Sequence, residues 1–248
     1  MPGLPFLFGA LGDIHGDFAA VRRIMTAHPD VPFWLCVGDV ADADGRYEPF
    51  PAPLYWIKGN NENFDLIDLA AHKGPPYTEA AQKGPPYTLL DNLFYIPNGQ
   101  LIEIEVGPAF TAGRLRVAGL GGTFAPTMYE TRADDLPHPK KGSAKATELA
   151  DRRRHFVHEE VEACKRMENV DILLTHEAPR PFRVGRMDAG KTPINDVLAA
   201  VKPRLHLFGH HHRFAEADVK GVRSVCLDLV AKSHLLVRFP ALEYDVMS

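Results

Sequence analysis

The chain has 248 residues, 45% hydrophobic and 24% charged, with 28 Lys+Arg against 32 Asp+Glu and a formal charge of −4. These proportions exclude a fibre, a coiled coil or a disordered tail, and they lack the basic excess of a protein that coats nucleic acid or an anionic membrane. A chain this long can bury roughly 70–75% of the surface its unfolded form exposes, so it needs no disulfide or metal for stability, and a single domain over 1–248 is the expectation. The 3 cysteines fit a reducing compartment. Leu4 to Leu11 is apolar, but it follows no basic residue, is interrupted by Pro5 and is too short to span a bilayer. A cytoplasmic protein with no membrane association is expected, and nothing in the sequence points to a protein partner.

In chain order, Phe6 to Leu11 reads as a buried strand. Asp17 to Ala27 follows as a helix capped by Asp17, with Phe18, Val21, Ile24 and Met25 on one face. Phe33 to Val37 and Leu54 to Ile57 are short apolar runs, and Phe64 to Ala71 has helical spacing. This alternation implies βαβ units and a largely parallel sheet. Leu93 to Ile96, Leu101 to Val106 and Leu115 to Leu120 are strands separated by Gly and Pro turns, which predicts a more antiparallel part. Phe156, Val157, Val161, Cys164 and Met167 mark one face of a long helix, with Arg152, Arg153 and Arg154 on its wet side. Ile172 to Leu174 is a strand, and a helix from Thr192 to about Val201 is capped by Thr192 with Pro193 at its first position. Leu205 to Phe208, Val222 to Leu227 and Leu235 to Phe239 complete the strands.

Two segments stand outside this pattern. Lys73 to Thr78 reads KGPPYT and recurs at Lys83 to Thr88, which marks residues 72–90 as an insertion loop grown by duplication. Residues 121–146 hold little periodicity and are expected to be a long surface loop.

The 12 histidines draw attention to the strand ends. The first strand ends in GDIHGD (Gly12 to Asp17), the second in Gly38-Asp39 and the third in Gly59-Asn60-Asn61-Glu62. Later strands end in Thr175-His176 and Gly209-His210-His211-His212. Sites in open α/β sheets form beyond the carboxyl ends of strands, so these points can converge. Asp, His and Asn make a mixed oxygen and nitrogen donor set that suits Mn, Fe, Ni or Zn better than Ca. So many donors exceed the needs of one ion and suit a pair about 3.5–4 Å apart, the arrangement that clamps both oxygens in phosphoryl transfer.

In this order, the motifs GDIHGD, GD, GNNE, TH and GHHH resemble the calcineurin-like metallophosphoesterase superfamily, along nearly the whole chain. The resemblance implies an α/β fold, a four-layer αββα sandwich of two mixed sheets. It implies two divalent metal ions, Mn first, with Fe, Zn or Ni as alternatives. Asp13, His15 and His212 would hold one ion, and Asn60, His176 and His210 the other. Asp39 would bridge them, and a metal-bridging hydroxide would attack phosphorus in line. The second half is similar, more loosely, to the catalytic domain of RNA lariat debranching enzymes, through Val117 to Gly122, Asp171 to Arg180 and GHHHRF. Those enzymes have cysteine where this chain keeps Asp13.

Family members usually read GNHE, with a histidine thought to help protonate the leaving oxygen; this chain has Asn61 there. An amide donates a hydrogen bond but delivers no proton near neutral pH. A phosphodiesterase acting on diesters or activated esters is therefore expected, with a nucleotide or RNA as candidate substrate. Phosphomonoesterase, phosphoprotein phosphatase and non-catalytic metal scaffold are the alternatives. Asp39, Asn60, Asn61 and His211 are the candidate catalytic residues, and Asn61, Arg180, Arg183 and Arg213 the candidate substrate-binding ones. Gly185 to Thr192 spells GxxxxGK[ST], but Pro179 to Arg183 before it is no buried strand, so nucleotide binding through a P-loop is not expected.

Overall fold

Apolar runs without a polar face must be covered from both sides, and in this chain they are. The computed structural model describes residues 6–73, 84–107, 113–139 and 150–248. The elements run β1 (Phe6–Leu11), α1 (Phe18–Ala27), β2 (Trp34–Cys36), β3 (Leu54–Trp56), α2 (Phe64–Lys73), β4 (Tyr87–Leu90) and β5 (Leu93–Tyr95). Next come β6 (Leu101–Val106), β7 (Gly113–Leu120), β8 (Thr123–Phe124), β9 (His155–Phe156), α3 (His158–Lys165), β10 (Ile172–Thr175), β11 (Arg183–Val184) and β12 (Met187–Asp188). The remainder is α4 (Thr192–Val201), β13 (Leu205–Phe208), β14 (Ala215–Val219), β15 (Val222–Cys226), β16 (His234–Phe239) and β17 (Glu243–Met247).

Two large sheets result, a 7-stranded one in the order β17-β16-β1-β2-β3-β5-β4 and a 6-stranded one in the order β14-β15-β13-β10-β7-β6. In the first, β1, β2, β3 and β5 run parallel, flanked by β4 and β16, each antiparallel to its neighbour, with β17 pairing antiparallel with β16 at the edge. In the second, β15, β13, β10 and β7 run parallel between antiparallel β14 and β6.

The side-chain period of two sorts each strand's residues between two cores. Along β2, Leu35 joins Phe8, Ile172, Leu174 and Leu207 between the sheets, whereas Trp34 and Cys36 pack with Val21, Met25 and Phe64 of the helices. Along β10, Ile172 and Leu174 face the first sheet, while Leu173 packs with Val161 and Cys164 of α3 and Ile194 and Leu198 of α4. The layers are therefore helices α1 and α2, the first sheet, the second sheet, and helices α3 and α4. This is the expected αββα sandwich of mixed sheets. Among the described residues no helix is long and apolar enough to cross a membrane.

Several local expectations change. The middle strands do not form one meander: β5 pairs parallel with β3 in the first sheet, and only β6 and β7 make an antiparallel hairpin in the second. The long helix begins at His158, because Phe156 lies in β9 paired with Phe124, and Arg152–Arg154 is a 3-10 turn. Thr192 is the first residue of α4 and makes no cap, since Lys191 takes the flanking position. Within 72–90, α2 extends to Lys73 and Tyr87–Leu90 is strand β4; residues 74–83, with half of the KGPPYT duplication, lie outside the described residues. Within 121–146, Thr123–Phe124 is a strand and Ala133–Asp135 a 3-10 turn, and residues 140–146 lie outside the described ones. Val184 and Met187 pair across Gly185-Arg186, so the GxxxxGK[ST] stretch folds as a tight hairpin, not as a loop opening from a buried strand.

Candidate metal centre

Five parallel strands of the two sheets end at one edge and deliver the polar residues that the sequence marks. β1 leads to Asp13 and His15, β2 to Asp39, β3 to Asn60, β10 to His176 and β13 to His210 and His212. The approach is close. The backbone N–H groups of Ile14 and His15 donate to the Asp39 carbonyl at 3.1 and 2.7 Å. Gly38 sits at φ +110°, and a Cβ there would lie 2.9 Å from His176 Nδ1, so glycine is required where the second strand turns into the site. His15, Asp39, His210 and His212 take φ values of 46°, 51°, 71° and 48°, the left-handed region that costs a non-glycine residue of order 1–3 kcal/mol. The surrounding packing holds this strain at four of the residues that resemble metal ligands.

Two groups of side chains could each hold an ion: Asp13, His15 and His212, and Asp39, His176 and His210. In the first, His212 Nε2 stands 3.1 Å from Asp13 Oδ2 and 3.0 Å from His15 Nε2. In the second, His176 Nε2 stands 3.6 Å from Asp39 Oδ2 and 3.1 Å from Asn60 Oδ1. Asp39 Oδ2 is also 3.5 Å from His15 Nε2, so this carboxylate faces both groups.

The donor chemistry fits cations. His176 Nδ1 lies 2.8 Å from the Val37 carbonyl, a contact that needs the proton on Nδ1. When the ring is neutral, Nε2 is a lone pair aimed at two other acceptors, Asn60 Oδ1 and Asp39 Oδ2, an arrangement that either a second ring proton or a metal ion in its place would satisfy. Asp13 and Asp39 are 1% exposed, yet no Lys or Arg among the described residues forms an ion pair with either; only histidines do. Burial would raise the Asp13 carboxyl, but its bond from His212 and the charge of His176 outweigh that and hold it below the usual range. Burial pulls His176 down, and the Asp39 and Asp13 charges overcome it and hold the ring above the ordinary value. His210 is pushed down to about 4, chiefly by burial, and so is neutral and able to coordinate near neutral pH.

The remaining predicted residues divide. Asn61 lies beside Asp39, donating to it from both backbone and side chain. His211 joins neither ligand group. Its ring lies against Phe182 at 4.6 Å between centroids, tilted by 32°, and 5.1 Å from the ring of His210. Arg180 Nε is tied to Asp188 Oδ2 at 3.0 Å, Arg183 is exposed in the β11–β12 hairpin, and Arg213 donates to the Arg183 carbonyl and lies 4.4 Å over the Phe182 ring. Closeness in sequence to the ligand motifs does not bring these three arginines to the cavity beside His15, Asn60 and Asn61, whose lining includes Arg154 instead. Arg154 is hidden in the sequence by its place in a run of three arginines with helical-looking neighbours. Glu62 and Tyr47 are the other unpredicted contributors. The Glu62 carboxylate accepts from the backbone of Val40, Ala41 and Gly59 and from Tyr47 Oη, and burial, then the Asp39 charge, push it up to about 8.

A model of the calcineurin-like phosphoesterase family matches residues 6–214. A lariat debranching enzyme of Schizosaccharomyces pombe is 24% identical over 221 residues, 80% of this chain, and the chain spans only 42% of that protein's length. TT1561 of Thermus thermophilus shares the fold with a TM-score of 0.60 at 13% identity, over 98% of this chain and 99% of its own. The calcineurin-like phosphoesterase YfkN from Bacillus subtilis does so with a TM-score of 0.53 at 13% identity, over 100% of this chain and 91% of its own. Those two likenesses carry the fold, and the family match, spanning most of the residues and both groups of candidate ligands, carries more: the chain belongs to the calcineurin-like phosphoesterase family.

Proposed function

We propose that the chain is a phosphodiesterase that works with two divalent metal ions. Asp13, His15 and His212 would hold one ion, Asn60, His176 and His210 the other, with Asp39 shared between the two groups. The observation that carries this reading is the position of Asp39 Oδ2, 3.5 Å from His15 Nε2 of one group and 3.6 Å from His176 Nε2 of the other. When bound, such ions polarise a phosphoryl oxygen and lower the pKa of water towards 7. The chain's own part is to hold the donors in place. The Val37 carbonyl fixes the His176 tautomer, and Asp39 is gripped by Asn61.

One N–H of the Asn61 amide is taken by Asp39, and the second, which has no partner among the described residues, can meet a phosphoryl oxygen. Because this amide transfers no proton, esters with good leaving groups suit the site better than esters of poor ones, and a diester with an alkoxide leaving group would need its proton from another source. The likeness to a lariat debranching enzyme supports a nucleotide or RNA phosphodiester. The mixed N and O donors support Mn, with Fe, Zn or Ni as alternatives. The cysteines Cys36, Cys164 and Cys226 are free and buried, which supports a cytoplasmic setting.

The test is hydrolysis of bis-p-nitrophenyl phosphate with and without Mn²⁺. Turnover that requires the ion and disappears in Asp39→Ala is expected. Robust turnover by metal-stripped protein would overturn the reading. Activity confined to phosphomonoesters or phosphoproteins would replace it with a phosphatase, and Mn²⁺ binding without any hydrolysis with a scaffold.

A further inference from the structure

Next to the candidate ligands lies a cavity of about 450 Å³, lined by His15, Asn60 and Asn61 and, from another part of the chain, by Asp151 and Arg154. Arg154 is the single Lys or Arg among the residues lining it. The acidic groups at this surface are already answered inside the protein. Asp42 accepts from the backbone of Asp44 and Arg46, Glu62 from three backbone N–H groups, and Asp151 from Arg153, which also takes Asp65 and Asp68. Arg154 donates through Nε to the Asp151 carbonyl at 2.9 Å, and no carboxylate among the described residues forms an ion pair with it.

The placement of Arg154 is built into the fold. Lys58, 8% exposed, donates from Nζ to the carbonyls of Arg153 at 2.9 Å and His155 at 3.1 Å, the residues on either side of Arg154. Gly122, at φ +87°, lets the Arg154 carbonyl approach so closely that a Cβ there would lie 2.5 Å from it. Lys58 is two residues from Asn60, so one short segment carries both a candidate ligand and the clamp on the arginine. An arginine held by a buried cation through its flanking carbonyls is a positioned group, unlike a solvated side chain on a helix face.

We propose that Arg154 is a substrate-binding residue whose guanidinium grips an anionic phosphoryl oxygen of the ester held in this cavity. The planar fork matches two oxygens of a phosphate, and it supplies a fixed positive charge beside Asn61, a position that carries none. This proposal rests on the phosphoesterase reading above for the identity of the ligand.

The experiment compares wild type with Arg154→Gln and Arg154→Lys. It measures KM and kcat for bis-p-nitrophenyl phosphate with Mn²⁺, binding of inorganic phosphate by calorimetry, and Mn²⁺ affinity by electron paramagnetic resonance. Arg154→Gln is expected to raise KM and the phosphate Kd about tenfold or more, the scale of one hydrogen bond to a charged group. Its kcat should stay within about threefold, the signature of lost uniform binding. Mn²⁺ affinity should be unchanged, and Arg154→Lys should recover part of the loss because it keeps the charge but not the fork. Wild-type KM and phosphate affinity in Arg154→Gln would overturn the proposal. So would a parallel loss of Mn²⁺ affinity, which marks a structural role. If wild type hydrolyses nothing yet its phosphate binding still depends on Arg154, the anion-binding role of Arg154 stands and the phosphoesterase reading falls.

Discussion

Asn61 holds Asp39 by both carboxylate oxygens, its backbone N–H donating to Oδ1 at 2.8 Å and its side-chain amide to Oδ2 at 3.0 Å. The residue that stands where a histidine is usual in the family thus orients the carboxylate lying between the two candidate ion positions. Asn61→Ala keeps the backbone bond and removes the other. It is expected to weaken Mn²⁺ binding about tenfold, the scale of a charge-assisted bond at a metal ligand. Asn61→His would supply a group able to deliver a proton. General acid catalysis contributes about 10²–10⁴-fold where leaving-group protonation limits the rate. The kcat/KM for a dinucleotide relative to bis-p-nitrophenyl phosphate should therefore rise in Asn61→His. An unchanged ratio would show that protonation is not limiting.

Glu62 joins the loops that carry Asp39 and Asn60. Its Oε1 accepts from Val40 N at 3.0 Å and Gly59 N at 3.2 Å, and its Oε2 from Ala41 N at 3.2 Å and Tyr47 Oη at 2.9 Å. Replacing one oxygen with NH₂ in Glu62→Gln would set a donor against backbone donors. Mn²⁺ affinity is expected to fall about 10–100-fold, as with other partners that orient metal ligands. Tyr47→Phe removes the bond to Glu62 and the one the hydroxyl accepts from Asn63 N at 3.0 Å, and should cost roughly 1–3 kcal/mol of stability with a smaller effect on the ion. Calorimetric Mn²⁺ titration and urea denaturation of both variants separate these outcomes; equal Mn²⁺ affinity in Glu62→Gln and wild type would show that the brace does not position the ligands.

The strand ends were legible because parallel strands buried on both faces read as unbroken apolar runs that stop abruptly at Gly, or in one case Thr175, followed by Asp, Asn or His. That pattern is visible at Asp13, Asp39, Asn60, His176 and His210. Edge strands lack the signal. β14 (AEADV) and β17 (EYDVM) are largely exposed and interrupt their apolar residues with acidic ones, and their pairing partners β15 and β16 impose the extended conformation. Phe156 fits the helical spacing of Val161 and Cys164, but the pairing of β9 with β8 overrides that period and shortens the helix. Arg180, Arg183 and Arg154 show the limit for the site itself. The first two are neighbours of His176 in sequence and are directed to Asp188 and to a hairpin, whereas Arg154 is brought to the cavity by Lys58 from a distant segment.

Lys58 is a test of that long-range link. Its ammonium group is bound by two carbonyls and lies 3.9 Å from Glu160 Oε1, so the buried charge is answered by groups of the second half of the chain. Lys58→Met keeps the aliphatic stem and leaves both carbonyls without this donor. A loss of roughly 1–3 kcal/mol in urea denaturation is expected, the cost of orphaning buried acceptors. Phosphate binding should weaken as well, since the clamp on Arg154 is released. A fully stable variant with wild-type phosphate affinity would show that the turn at Arg152–Arg154 is held by other contacts.

His206 offers a pH test in the core behind the ligands. It is 0% exposed on β13, with Nε2 2.9 Å from Thr175 Oγ1 and Nδ1 3.0 Å from Ser224 Oγ, and Thr175 Oγ1 in turn donates to the Glu177 carbonyl at 2.7 Å. The threonine proton is thus spent on Glu177, so His206 donates through Nε2, and Ser224 Oγ, which lies 3.0 Å from Nδ1 and 3.3 Å from the Val222 carbonyl, gives its proton to the nearer nitrogen when the ring is neutral. Burial pushes its pKa down to about 3, below the ordinary value of 6.5. The folded ring therefore stays neutral between about 6.5 and 3, while the unfolded chain takes up a proton there. Stability from this group is present above about pH 6.5 and declines as pH falls, by about 1.4 kcal/mol per unit at most. His210, His211 and His234, each pushed down to about 4, share the window, so wild type alone does not isolate the effect. Urea denaturation of wild type and His206→Gln at pH 7.5, 6.0 and 5.0 does. The variant should be less stable at pH 7.5, because packing is lost, and the gap should narrow by at least 1 kcal/mol towards pH 5.0, on the scale of one pKa unit of linkage. A gap that stays constant across the series would mean that His206 is not the neutral buried ring inferred from its two partners.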